Sequence, residues 1–254
     1  MSILACLFLA VGLADLVRAE GGHTRWVRRA VGCAAGLALL VLLGVLGHLR
    51  GGLDIALLVT SALALGGWVV LSGRAFDARL SGRLRPGLAL GVLAAIAALL
   101  LGASGHTSPI AGPLGDWLTG LAIPGLHHGD ATAALLVLGA LLIQLSTANH
   151  VVRLVLAGVG AIKPTGQPQA SDRLRGGRLL GPMERLLIVG LGLAGEVTAA
   201  GLVIAAKGLI RWPELQAQSR DPHTPGIDEV TEYFLVGSFV SWLIALGALW
   251  VCAN

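Results

Sequence analysis

The sequence predicts an all-α fold, a polytopic transmembrane bundle of about seven helices with the N-terminus outside and the C-terminus cytoplasmic. Three observations carry this. Of 254 residues, 55% are hydrophobic and 13% charged, and the mean hydropathy is +0.81, which is more apolar surface than a soluble core of this size can bury. The apolar residues gather into seven runs near the ~20 residues that a bilayer crossing requires. The basic residues crowd alternate connecting segments.

The first run, 2–17, has no basic n-region and reads as a first helix rather than a signal peptide. Asp15 cuts it short, so a half-span or interfacial helix fits it too. Runs at 29–47, 53–71 and 87–103 follow. The fifth, 131–153, can continue to 162 as one long tilted helix with a cytoplasmic extension. The sixth and seventh, 182–207 and 231–252, form a C-terminal hairpin. Between the fourth and fifth lies 104–130, with no Lys or Arg and with Pro109, Pro113 and Pro124 around the short apolar piece 117–123. That piece cannot span, so it is expected on the outer interface with Trp117 as its anchor. Segment 163–181, with Pro164, Gly166, Pro168, Gly176 and Gly177, is rich in turn formers. It divides a five-helix part, 1–162, from a two-helix part, 182–254.

Orientation follows from arginine. The segments after the first, third and fifth runs, with Arg185 opening the sixth, hold fourteen of the 18 basic residues, while Arg50, Lys207, Arg211 and Arg220 lie on the other side. The positive-inside rule makes the arginine-rich side cytoplasmic. The preference for Arg over Lys, with abundant Ala, Gly and Leu, points to a GC-rich bacterial genome and hence to a bacterial inner membrane. A net charge of +4 does not imply nucleic acid, because the basic residues sit between apolar runs and aromatics are only 4%. Cys6, Cys33 and Cys252 lie in or beside apolar runs without C-x-x-C spacing and read as packing residues.

Charged residues inside apolar runs are the candidate functional residues, since a bilayer offers them no solvent. Read as one helix, 181–211 places Glu184 in a first turn opened by Pro182. Glu196 then lies ~21 Å further on, near mid-membrane, and Lys207 near the outer face. Glu196, Gln144 and Thr198 form an expected polar membrane site, either interhelical hydrogen-bonding or a proton- or cation-coupled group. Lys207, Arg211 and Glu232 form an expected outer ion-pair clamp. Asp15, Asn149, His150, Arg153, Glu184 and Arg185 reach similar depth at the cytoplasmic end, as a structural network or as donors for an anionic head group or substrate. The outer loop offers His106, Asp116, His127, His128 and Asp130, in no recognised metal-ligand spacing, so neither metal nor cofactor is expected. The absence of G-x-S-x-G, Walker A or dinucleotide motifs argues against soluble-enzyme chemistry.

From Gly177 onward, GRLLGPMERLLI, AAGLVIAAKGLIRWPEL and TEYFLVGSFVSW occur in order. The block resembles the C-terminal membrane region of a widespread bacterial multi-pass membrane protein family of unknown function, in which G-R-x-I-G-x-x-E-R, I-A-A-K-x-x-x-R and E-Y-x-L-x-G stretches recur together. The resemblance singles out Gly181, Glu184, Arg185, Lys207, Arg211, Glu232, Tyr233 and Gly237, and brings no activity with it. Three expectations of function stand side by side. The chain passes or senses a small solute or ion along a polar path through the fifth to seventh runs; it is a membrane-embedded scaffold that binds a protein partner or a second copy; or it is an enzyme using the outer His/Asp loop.

Overall fold

The computed structural model describes residues 1–19, 25–75, 84–120, 130–162, 177–218 and 227–253. Among these, ten α-helices and one 3-10 turn make up the regular structure: α1 Ser2–Ala19, α2 Arg25–Leu46, α3 Gly52–Arg74, α4 Leu84–Gly102, the turn Ser104–His106, α5 Gly112–Thr119, α6 Ala131–Leu145, α7 Thr147–Val159, α8 Gly177–Leu193, α9 Val197–Gln218 and α10 Ile227–Ala253.

Among the described residues, three helical stretches are long and apolar enough to cross a membrane: Trp26–Leu46, Gly52–Arg74 and Thr231–Ala253. The bent pair α6 and α7 makes a fourth if counted as one span. Their outward faces carry Val41, Val45, Ile55, Leu63, Leu235, Phe239 and Trp250, all exposed. Contiguous apolar surface of this extent is foreign to a soluble monomer and natural against lipid.

The helix that the sequence marks as the weakest is the centre of the bundle. Along α1, Ile3, Leu4, Ala5, Cys6, Leu7, Ala10, Val11 and Ala14 are fully buried, enclosed by α2, α3, α4, α6 and α7. A helix lying on the interface does not fit this enclosure. Small residues permit the enclosure. A Cβ on Gly32 would stand 2.6 Å from the Ala14 carbonyl oxygen, and one on Gly36 2.7 Å from that of Ala10, so the four-residue glycine spacing lets the two backbones touch. A second, smaller core joins Ile188, Val189, Ala200 and Ala245 of α8, α9 and α10.

Two expected continuous helices are broken. The fifth run bends by 49° between α6 and α7, at Ser146, whose hydroxyl donates to the Gly12 carbonyl oxygen of α1 at 2.8 Å. The sixth run is two helices. Gly195 adopts φ +83°, and the Glu196 and Gly195 amides return to the Leu191 and Gly192 carbonyls at 2.8 and 3.1 Å, the paired bonds of a Schellman helix stop. The same stop ends α7 at Gly160, φ +87°. Helix α8 also begins before Pro182, which lies inside it. The C-terminal part is thus three helices, not a two-helix hairpin.

Helix directions follow from contacts. Arg185 and Glu184 of α8 bond Ser241 and Trp242 of α10, and further along both chains Gly192 packs under Leu249. Residue numbers rise together, so α8 and α10 are parallel. Lys207 of α9 reaches back to Glu184, so α9 is antiparallel to both.

Candidate functional site

The bend at Ser146 releases backbone. A helix end leaves carbonyl oxygens without intrahelical partners, and that of Gln144 is taken by Arg185, whose Nη2 and Nε donate to it at 2.7 and 3.2 Å. The same guanidinium donates from Nη2 to Asn149 Oδ1 at 2.7 Å and from Nη1 to Ser241 Oγ at 3.0 Å. One side chain thereby ties together α6, α7, α8 and α10. Arg185 is 1% exposed; the acceptors it meets among the described residues are neutral, and the Glu184 carboxylate beside it acts on it electrostatically. Gly181, one turn earlier, lies against the guanidinium, where a Cβ would stand 3.4 Å from Nη1 in ordinary contact.

Glu184 is the adjacent residue, about 100° round the helix, and faces the other way, towards α9 and α10. Its Oε2 accepts from Lys207 Nζ at 2.5 Å and its Oε1 from Trp242 Nε1 at 2.8 Å. The ammonium also lies 5.9 Å from the Trp242 ring centroid, within cation–π range. Glu184 is buried, while the Lys207 side chain keeps 22% of its surface exposed. Gln144 is fully buried, and its side-chain amide has no hydrogen-bond partner among the described residues.

A second cluster adjoins the first across α7. Asp15 of α1 is fully buried; it pairs with Arg18 and accepts from Trp68 Nε1 at 3.1 and 3.2 Å. Arg18 continues to Ser72 Oγ and the Val69 carbonyl at 3.1 and 3.2 Å. His150, next to Asn149, lies within electrostatic reach of Asp15, Arg18 and Arg153. The cytoplasmic group expected from sequence is therefore divided. Glu184, Arg185 and Asn149 join the first cluster, Asp15 and His150 the second, and Arg153 is exposed beside them.

The other groups do not assemble as expected. Glu196 is exposed at the α8–α9 turn, and Thr198 is exposed just beyond it, whereas Gln144 is enclosed, so no polar membrane site joins the three. The cause is the Schellman stop, which turns the chain back where a continuous helix would carry Glu196 past α6. The same reversal takes Lys207 out of the clamp: it pairs with Glu184, while Glu232 is exposed ten residues before Trp242, ~15 Å along α10. The Arg211 side chain lies outside the described residues. Between α5 and the start of α6, Asp116 and Asp130 line an open cleft of 510 Å³ with Thr119 and Thr132, and the Asp130 carboxylate caps α6 through the Ala133 amide at 2.9 Å. His106 is exposed, and His127 and His128 lie outside the described residues. No group of three His, Cys, Asp or Glu side chains that could hold a metal occurs among the described residues.

Trp68, Ser72, Ser241 and Trp242 went unrecognised in the sequence. The signal was present for Trp68 and Trp242, since an indole N–H buried in an apolar run needs an acceptor. No protein-family model, curated protein or solved structure matches the chain.

Proposed function

We propose that the chain is a multi-pass protein of a bacterial inner membrane that binds a small solute or ion at the junction of α6, α7, α8, α9 and α10, and passes or senses it there. The observation that carries this is the placing of Arg185 on the backbone freed where α6 breaks into α7, with the Glu184–Lys207 pair on the same turn of α8. Broken helices within a membrane occur where the freed backbone lines a site or is covered by protein, and intramembrane charges mark pathways and binding sites. The resemblance noted in the sequence adds support, because its singled-out Lys207 meets its singled-out Glu184 here across 23 residues of chain, with Arg185 next to Glu184.

Helix direction refines the topology. In this reading α9 runs back toward the arginine-rich side and α10 runs outward, so the end of α10, expected in the cytoplasm, lies on the outer side instead. Fifteen basic residues then lie on the cytoplasmic side against Arg50 outside, with Arg185 and Lys207 within the bundle, a sharper asymmetry than seven crossings give. Solid-supported-membrane recordings on proteoliposomes, screened across ion and pH jumps, test the function. Charge movement is expected for the wild type and for Glu196→Gln, and is lost in Lys207→Met. Equal signals from wild type and Lys207→Met would remove the proposal.

A second reading, a membrane-embedded scaffold, draws on α9 itself. Leu202, Leu209 and Ile210 are exposed, and nothing approaches Gly201 or Gly208 within 4 Å, so a small-residue face stands open to a neighbouring helix. Native mass spectrometry of the purified protein distinguishes this reading by the presence of a second polypeptide.

A further inference from the structure

We infer that the end of the bundle where α2 begins and α3 finishes is a docking surface for the head group of an anionic phospholipid, held by Arg28, Arg29 and Arg74. This surface is separate from the junction of α6 to α10, and the inference does not rest on solute binding there.

Antiparallel packing brings the three arginines together. At one end of the helix pair a Cβ on Gly44 of α2 would stand 3.0 Å from the Leu58 side chain of α3, and at the other end a Cβ on Gly73 of α3 would run into the Arg29 guanidinium. Arg29 Nη2 donates to the Gly73 carbonyl oxygen at 2.6 Å, one of the orphan acceptors that a helix C-terminus leaves. The first turns of α2 thus meet the last turn of α3, and Arg74 is the next residue along. Arg74 is exposed, while Arg28 and Arg29 are half-buried. Arg18, on the neighbouring end of α1, is taken up by Asp15, Ser72 and the Val69 carbonyl.

The charge at this end is in surplus. The connections from α1 to α2 and from α3 to α4 both start and finish here. Residues 18–29 and 74–85 contain eight arginines and two acids, Glu20 and Asp77, so with Asp15 also counted five positive charges are left over however the acids are paired. Helix α2 makes the surplus costlier. It has no acid in its first turn and opens on Arg25, Arg28 and Arg29, which set positive charge against the positive end of the helix dipole. A phosphate at this helix start answers the guanidinium groups and the dipole together.

The surface beneath the arginines selects a lipid over a dissolved anion. Val70 lies one turn deeper than Arg74 on the same face of α3, and Val31 one turn deeper than Arg28 on the same face of α2; both valines are exposed. Trp26 is 72% exposed at the level of the guanidinium groups, where an indole settles at a membrane interface. Charge at the rim with exposed apolar surface directly below matches a phosphate with acyl chains below it. A dissolved phosphate would satisfy the rim alone.

The test reconstitutes the wild-type protein in liposomes of equal phosphatidylglycerol and phosphatidylcholine, extracts it in mild detergent and counts the retained lipids by native mass spectrometry. Phosphatidylglycerol is expected to be retained in preference, and the preference to shrink as salt is raised. Arg28→Gln combined with Arg74→Gln is expected to lower it about fivefold for each arginine removed, ~1 kcal/mol apiece. Arg50→Gln, at the opposite end of the same two helices, leaves it unchanged. Equal retention of the two lipids by the wild type would overturn the inference, as would a preference that survives the double variant or falls as far in Arg50→Gln. Loss of the preference in inorganic phosphate, but not in sodium chloride of the same ionic strength, would assign the surface to a dissolved anion and overturn it too. If the double variant fails to fold, Arg74→Gln alone, at an exposed helix end, decides by its own fivefold loss.

Discussion

Asp15 and Arg185 are both enclosed charges, and the bundle treats them differently. Asp15 has a cation one turn away on its own helix and an indole N–H from α3, so its charge is compensated before anything else is considered. Removing it strands both Arg18 and the Trp68 N–H. Asp15→Ala is expected to lower stability by about 3–5 kcal/mol, the range for breaking a buried pair, whereas Trp68→Phe, which keeps the ring and loses one donor, should cost about 1–3 kcal/mol. Unfolding in detergent, followed by circular dichroism, measures both; equal losses would mean that the carboxylate is held by packing rather than by charge. Glu196 behaves oppositely. Exposed at a turn, it should tolerate Glu196→Gln within about 0.5 kcal/mol. The sequence made Asp15, Glu184, Arg185 and Asn149 legible because charge in an apolar run is conspicuous. It did not reveal their partners, since Trp242 stands 58 residues from Glu184 and no spacing rule links them.

Among the elements, the α8–α9 reversal decides most. It depends on Gly195 at φ +83°, where an L-residue pays roughly 1–2 kcal/mol. Gly195→Ala should therefore destabilise the protein by about that amount, while Gly190→Ala, an exposed helical position with open space around it, should be neutral or slightly stabilising. Thermal melts of the two variants check this, and equal melting temperatures would contradict the left-handed stop. The reversal was hidden because Gly192 and Gly195 satisfy two patterns equally, a small-residue packing face and a helix terminator. Local sequence does not choose between them. The Glu184–Lys207 pair favours the terminator, since it forms only if the chain turns back. The bend at Ser146 was hidden for a related reason: apolar periodicity continues through it, and the reason for the break, a bond from Ser146 to α1, lies 134 residues away.

At the scale of the whole molecule, parallel α8 and α10 put the end of α10 on the same side as the 3-10 turn before α5. In a background without Cys6, Cys33 and Cys252, Gly105→Cys and Ala253→Cys are expected to react with an impermeant thiol reagent from one face of the membrane, and Ala161→Cys from the other. Labelling of Gly105→Cys and Ala253→Cys from opposite faces would restore a straight sixth span. The all-helical bundle itself was readable from composition and run length, because lipid exposure writes hydrophobicity on the outside of every long helix. The rank of α1 was not: a short run with an acid near its end looks peripheral, and only the glycines opposite it show that it is enclosed.

That enclosure bears on how the protein is made. Helix α1 leaves the ribosome before every helix that surrounds it, and Trp68 follows Asp15 by 53 residues, about 3–10 s at ~5–20 residues per second. During that interval the carboxylate has Arg18, carried on the same helix, as its countercharge. The i, i+3 pair thus equips α1 to wait in the bilayer as a nearly neutral segment until α3, and later α6, close around it. A variant that moves the arginine elsewhere would lose that countercharge at insertion as well as the finished contacts to Ser72 and Val69.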